Sequence, residues 1–340
     1  MGVKQENPRE GLERRFSRSL PTLTSTLSSL NDRLLFAVPK KGRLNQACLD
    51  LLAGSDIKFH RHNRLDIALV KNHPVALVFL PAADIPTFVG EGRVDLGITG
   101  RDTVAEHEAV TPATETHGIE EIMDLEFGQC KLQVQVPEKG DIQTPEQLVG
   151  RNVVTSFTGL TEEYFRNLEN KDSQANGTTN GDAEKPRLKT HVKFVGGSVE
   201  AACALGVADG IVDLVESGET MRAAGLKAIA TVVESTAVLI QSKHPSDPKL
   251  VGIIANRIRG VITAQKYVLC TYNVERKNLD QARSITPGKR APTVNTLEEE
   301  GWVAVQAMVL KKSISDVMDE LQAVGATDIL VTKIDNSRTT

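Results

Sequence analysis

Residues 210–226 read GIVDLVESGETMRAAGL. An apolar run ends in Asp213, and Ser217, Gly218, Glu219 and Thr220 then open a helical pattern. A helix start leaves backbone N–H groups unbonded and carries partial positive charge. Glycine lets a ligand approach the backbone and hydroxyls add donors. The turn could therefore nest one phosphate, with Asp213 accepting bonds from sugar hydroxyls. The same residues also fit a plain cap, with Ser217 as N-cap and Glu219 and Thr220 filling the first turn.

Three further stretches join a strand pattern to a helix pattern through a polar turn. PKKGRL, Pro39 to Leu44, concentrates Lys40, Lys41 and Arg43 at a helix start, where cations oppose the dipole unless an anion joins them. A solvated basic turn fits equally. Arg61 and Arg64 form a second basic cluster soon after. GRVDLGITGRDTV, Gly92 to Val104, carries Asp95, Gly97, Thr99, Gly100 and Asp102, a glycine loop that could hold a ribose or base. TSFTGLTEEYF, Thr155 to Phe165, places Thr158, Gly159 and Thr161 at its turn. No GxGxxG or GxxxxGK[ST] spacing is present, so dinucleotide and P-loop readings are weak. Cys48, Cys130, Cys203 and Cys270 form no CxxC and are expected to be reduced thiols. The histidines show no zinc spacing. Anion-binding loops without a nucleophile or metal cage suit chemistry that needs placement and charge neutralisation.

These loops need strands and helices to aim them. LLFAVP reads as a buried strand and the segment after KKGR as a helix with Leu44, Cys48, Leu51 and Leu52 on one face. Strand and helix patterns then alternate, which indicates an α/β sheet covered on both faces. EGRVDLGITGRDTV and DGIVDLVESGETM echo each other, suggesting two similar lobes with a ligand cleft between them. ENKDSQANGTTNGDAEKPRLK is polar and is expected to be an exposed, mobile insertion. From Val261 the pattern becomes β-α-β-β-α-β, a small added domain.

The composition is that of an ordinary soluble globular chain, 40% apolar and 25% charged over 340 residues. A net charge of -4 without a basic face argues against nucleic acid. No apolar run is long enough to cross a membrane. The N-terminal stretch has no apolar core of a secretory signal and is expected to be a polar tail in a cytoplasmic protein.

Residues 200–221, EAACALGVADGIVDLVESGETM, resemble the ATP phosphoribosyltransferase motif at Glu200, Gly206, Ala208, Ile211, Asp213, Leu214, Ser217, Gly218, Thr220 and Met221. The similarity extends through KKGRL, GRVDLGITGRD, FGQCKLQVQVP and GGSVEAA. The resemblance implies a two-lobed core like the type II periplasmic binding proteins, followed by a ferredoxin-like (βαββαβ) regulatory domain. On that basis residues 1–33 are tail, 34–128 and 228–258 the first catalytic lobe, and 129–227 the second. The insertion is 168–188, and 261–336 bind histidine. Tail and insertion depart from the family pattern and look eukaryotic or fungal.

The implied reaction joins N1 of the ATP adenine to C1 of phosphoribosyl pyrophosphate and releases pyrophosphate. It is the first step of histidine biosynthesis. Asp213, Ser217, Gly218, Glu219 and Thr220 are implied to bind phosphoribosyl pyrophosphate, and Arg43, Arg64, Asp95 and Gly97 to bind ATP. Lys41, Arg43 and Asp213 form the implied catalytic set. Mg²⁺ is implied on the substrate pyrophosphate, without a site made of protein alone. Asn273, Leu297 and Ala326 are implied histidine contacts, in a dimer that converts to a hexamer. The competing reading is a non-enzymatic two-lobed protein that binds a small anion in the same cleft, which fold alone does not exclude.

Overall fold

The computed structural model describes residues 30, 32–61, 65–175 and 188–338. Most of the expected tail, residues 176–187 of the expected insertion, and Arg64 lie outside the described residues. The chain forms two compact units. The larger takes the chain up to Leu44 together with 58–124 and 128–247, and the smaller takes 45–57, 125–127 and 248–340.

The larger unit holds two sheets. The first orders its strands β2 (Ile67–Leu69), β3 (Val75–Leu80), β1 (Leu34–Pro39), β4 (Leu96–Gly100), β11 (Ala237–Ser242) and β5 (Ile119–Asp124). β1 runs parallel to β3 and β4, whereas β11 runs antiparallel to β4 and β5. These central strands are almost continuously apolar because both faces are covered. Helices α2 (Ile85–Gly90) and α3 (Arg101–Val110) bring Ile85, Val89 and Val104 into a core with Ala37, Val238 and Ile240.

The second sheet orders β10 (Leu226–Ser235), β6 (Cys130–Pro137), β9 (Gly210–Val215), β7 (Asn152–Thr155) and β8 (His191–Phe194). Neighbouring residues of one strand feed opposite cores, as a pleat of period two requires. Val153 and Val212 pack with Phe157 and Phe165, while Val154 and Ile211 pack with Val199, Ala202 and Leu226. Helices α4 (Thr158–Ala175), α5 (Ala201–Ala204) and α6 (Glu219–Ala223) complete this lobe. α4 runs on to Ala175, so the start of the expected insertion is helical.

Both sheets share one topology. β3-β1-β4-β11-β5 in the first corresponds to β8-β7-β9-β6-β10 in the second. In each, one strand contributed across the lobe crossing lies antiparallel beside the third strand. The chain crosses between Asp124 and Cys130 and returns between Ser235 and Ala237. This is the expected two-lobed core. The segment 228–258, expected in the first lobe, instead divides. β10 pairs with β6 as the edge of the second sheet, β11 enters the first, and helix α7 (Pro248–Lys266) belongs to the smaller unit.

In the smaller unit, helix α1 (Asn45–Gly54) packs on α7, where a Cβ at Gly54 would lie 3.1 Å from Val261 Cγ1. A four-stranded antiparallel sheet follows in the order β13 (Thr293–Thr296), β14 (Trp302–Leu310), β12 (Tyr267–Glu275), β15 (Thr327–Lys333). Helices α8 (Leu279–Ile285) and α9 (Ile314–Ala323) cover one face, giving the expected βαββαβ unit. Its first strand starts at Tyr267, because Val261 falls inside α7. Tyr272 is fully buried, with its hydroxyl 2.7 Å from Thr286 Oγ1 and 3.3 Å from the Ala282 carbonyl. Tyr272→Phe is expected to lower unfolding free energy by about 1 kcal/mol, measured by urea denaturation of the full chain.

Candidate functional site

In a doubly wound sheet, ligands bind beyond the carboxyl ends of the strands, where the connections diverge to opposite faces. In this chain the divergence falls between β1 and β4 in one lobe and between β7 and β9 in the other. The four turns singled out in the sequence follow these four strands.

In the β1 turn, Gly42 takes φ +86° with open space where a Cβ would stand, so backbone conformation alone calls for glycine. Lys40 pairs with Asp66 at 2.9 Å. Lys41 is exposed and forms no ion pair among the described residues. Arg43 is mostly covered and reaches three ways. Its Nη1 donates to the Gly128 carbonyl, Nη2 lies 3.4 Å from Asp102 Oδ1, and Nε lies 3.6 Å from Glu216 Oε1 of the second lobe.

Asp102 opens α3 and is fully buried. Its backbone N–H donates to Ser235 Oγ at 2.9 Å, and Ser235 Oγ lies 2.5 Å from Asp102 Oδ1. Cys130 lies beside this group. Burial, and then the Asp102 charge, pushes its thiol up, with the Arg43 guanidinium opposing. A thiol held protonated is a poor nucleophile.

Asp213, near the end of β9, is half-buried and accepts from the Leu214 amide at 2.9 Å. Burial raises its pKa against that hydrogen bond, and the nearby Glu200 raises it further. Gly218 then adopts φ +75° and ψ 6°. Ser217, Glu219 and Thr220 are exposed. Ser217 Oγ accepts from the Glu219 amide at a long 3.4 Å. The first-turn amides of Glu219, Thr220 and Met221 have no upstream turn to bond. Arg222 arches over the turn, donating to the Ser217 carbonyl at 3.2 Å and occupying the space beside Gly218.

The structure thus joins Arg43 to the loop that follows Asp213, and it moves two expected residues out. Asp95 lies at the start of β4, not its end. Its Oδ2 accepts from the Leu35 amide at 2.8 Å and its Oδ1 from the Ser246 amide at 2.6 Å. Gly97 is a packing glycine, since a Cβ there would meet Ile85 Cγ2 at 2.7 Å and Ile240 Cγ1 at 3.1 Å. Neither residue lies at the turn that follows β4. The sequence echo that suggested two similar lobes is out of step with the sheets at this point. Its Asp-Leu begins the strand in the first lobe and ends it in the second.

Asp102 and Glu216 are the partners of Arg43 to which sequence reasoning gave no role. The available signal was Asp102's place two residues after Gly100, where a Cβ would lie 2.2 Å from Asp102 Oδ1. In the smaller unit, Asn273 Nδ2 donates to Asp328 Oδ2 at 3.0 Å, and Asp328 has a strained φ of +51°. Asn273 pairs with Thr327, next to Ala326, whose methyl is buried in the core. Only the backbone of Ala326 can face a ligand. Leu297 lies two strands away, beyond β14.

Comparison with known proteins adds to this geometry. The ATP phosphoribosyltransferase family pattern matches residues 81–260, and the pattern described as HisG, C-terminal domain, matches 264–336. An ATP phosphoribosyltransferase of Yarrowia lipolytica is 61% identical over 92% of this chain and 99% of its own. One of Schizosaccharomyces pombe is 58% identical over 92% and 99%, and one of Saccharomyces cerevisiae 54% identical over 92% and 99%. A chain of the ATP phosphoribosyl transferase (HisG:HisZ) complex from Thermotoga maritima shares the fold, with a TM-score of 0.51 at 19% identity. That match covers 68% of this chain and 98% of the other.

The raised Asp213 pKa has a direction that can be tested. A carboxyl whose pKa is raised by folding adds stability below its unfolded pKa and loses it as pH rises through the folded value. Asp213→Asn is therefore expected to melt higher than the parent chain at neutral pH. The gap should close as pH falls below the ordinary carboxylate range, read by thermal unfolding across a pH series.

Proposed function

Because the chain belongs to the ATP phosphoribosyltransferase family, which catalyses the first step of histidine biosynthesis, we propose that its two lobes divide the substrates between them. The β9–α6 turn takes the 5′-phosphate of phosphoribosyl pyrophosphate on the amides and hydroxyls of Ser217, Gly218, Glu219 and Thr220. Asp213 accepts from the ribose hydroxyls. Lys41 and Arg43 meet the pyrophosphate or ATP phosphates from the first lobe. The observation that supports this division is Arg43 itself, a cation anchored in one lobe whose third partner is Glu216 in the other. An incoming anion replaces an exposed carboxylate there at little cost, since Glu216 is 55% exposed.

No general base is required. Adenine N1 attacks C1 with its own lone pair as the C1–oxygen bond to pyrophosphate breaks, so the protein's work is alignment and neutralisation. Among the described residues no group of three or more His, Cys, Asp and Glu could hold a metal ion. Mg²⁺ would sit with the substrate, on pyrophosphate oxygens and water, where it would improve the leaving group. The two-lobed strand order also suits a non-enzymatic anion-binding protein, but the high identity to named transferases over nearly the whole chain does not favour that reading.

We also propose that the βαββαβ unit binds histidine, with Asn273 the side-chain contact, and that the chain works as a homo-oligomer. Effector binding there can inhibit only by favouring a less active arrangement.

Mixing the chain with ATP, Mg²⁺ and phosphoribosyl pyrophosphate should give an absorbance change near the adenine band and release pyrophosphate. Tight binding of one ligand with no turnover would point to the binding protein instead. Thr220→Val is expected to raise KM for phosphoribosyl pyrophosphate about tenfold and leave KM for ATP within about twofold. Equal losses for both substrates sink the division. Histidine should lower turnover of the parent chain, and Asn273→Ala should need at least about tenfold more of it. Unchanged sensitivity removes Asn273 from the effector site.

A further inference from the structure

The fourth turn, Thr158-Gly159-Leu160-Thr161 at the start of α4, reads in sequence as an anion loop, yet the proposed function leaves it without a ligand. The structure shows what fills it. Glu106, on α3 of the first lobe, points its carboxylate at the α4 N-terminus of the second. Its Oε1 accepts from the Gly159 amide at 2.8 Å and from Thr158 Oγ1 at 3.4 Å, and its Oε2 accepts from the Leu160 amide at 2.9 Å. These N–H groups have no partner within their own helix, and the helix start favours negative charge. Gly159 is what permits the approach. A Cβ there would lie 3.0 Å from both Ala109 Cβ and Val110 Cγ2 and 3.3 Å from Glu106 Oε2.

The seam around this contact is thin. A cavity of about 550 Å³, lined by Thr87, His107, Val110, Ser156 and Phe157, opens on one side of it. A second of about 540 Å³, lined by Ala109, Val110, Gly159 and Arg166, also borders it. With open space at two places along the α3–α4 contact, the charged tie carries much of how the two helices meet.

We propose that Glu106 is a cross-lobe latch: the chain's own carboxylate occupies the anion seat of α4 and sets the spacing of the two lobes. Two consequences follow. The α4 seat is closed to substrate phosphates, which leaves the Ser217–Thr220 turn and the Arg43 side to receive them. Glu106 is a positioning residue rather than a catalytic one, because it brings the two halves of the crevice together without touching either substrate. If the competent spacing is only partly populated once the latch is released, the apparent affinity for both substrates falls by that fraction, while turnover of the filled crevice changes little.

The test uses the full chain with Glu106→Gln, which is nearly isosteric but gives up the charge and one acceptor, and with Glu106→Ala. Amide hydrogen exchange is followed at Gly159 and Leu160, alongside steady-state kinetics in both substrates. Exchange at the two amides should accelerate at least about tenfold, since nothing else in α4 protects them. KM for ATP and for phosphoribosyl pyrophosphate should both rise about tenfold with kcat within about twofold. Added formate, a small carboxylate, should restore both KM values in Glu106→Ala. Unaltered exchange in both variants overturns the latch. The kinetic arm rests on the division of substrates proposed above and the exchange arm does not. Faster exchange with one or neither KM raised keeps the latch and overturns the shared crevice.

Discussion

A carboxylate with no access to water lies at the root of the crevice. Asp102 is fully buried, and burying a charge is costly unless it is paired and hydrogen-bonded. The pairing falls to residues from two separate parts of the chain, Arg43 after β1 and Ser235 at the end of β10, both at Oδ1, while Oδ2 has no hydrogen-bond partner among the described residues. Holding one charge therefore ties a cation, a lobe crossing and, through the Asp102 amide on Ser235, a helix start together. A second tie reinforces the return crossing. Arg101 pairs with Glu121 and Asp124, its amide donates to the Thr236 carbonyl, and Thr236 Oγ1 donates to Asp124 at 2.7 Å. Gly100, two residues before Asp102, serves this packing, because any Cβ there would strike the carboxylate.

Much of the fold was legible because period and burial agree. β12 and β14 alternate buried and partly buried or exposed residues along nearly their whole length, so the βαββαβ unit could be read directly. β1 and β4 are buried on both faces and read as short apolar runs bounded by turns. The path of residues 228–258 was not legible. β10 and β11 are adjacent apolar runs separated by Thr236 alone, and nothing local says that one closes the second sheet while the other returns to the first. That choice is made by pairing with β6 and β4, 89 or more residues upstream at every paired position.

The site was legible by halves. Arg43 and the Ser217–Thr220 turn stand where their residue types suggested, at strand ends facing helix starts. Asp95 and Asp213 show that identical letters need not share a register. Asp-Leu at the beginning of a strand makes the carboxylate an acceptor for two backbone amides, whereas near the end of β9 it stands just before the Ser217–Thr220 turn. Glu106 was invisible for a different reason. It lies mid-helix among other charged residues, and an exposed face is the ordinary explanation for an acid there. Its partners are amides of another lobe, and amides carry no residue type to read.

The two lobes present anions with different chemistry, and the difference suits their proposed tasks. Backbone amides at Gly218–Met221 cannot change charge or swing away, so they suit a phosphate that must stay in place through the reaction. Arg43 and Lys41 differ from each other as well. A guanidinium already committed to Asp102 and Gly128 is preorganised, with little freedom left to lose on binding. An ammonium on an exposed stem keeps its hydration and its mobility, and can follow a pyrophosphate as it departs. The crevice then needs neither nucleophile nor base. The thiol in its wall is held protonated by burial beside Asp102, and two of its residues of opposite charge, Asp213 and Arg43, stand on opposite lobes. Chemistry in such a site depends on how closely the lobes approach, which makes the spacing between them as much a part of the catalytic apparatus as any side chain in contact with substrate.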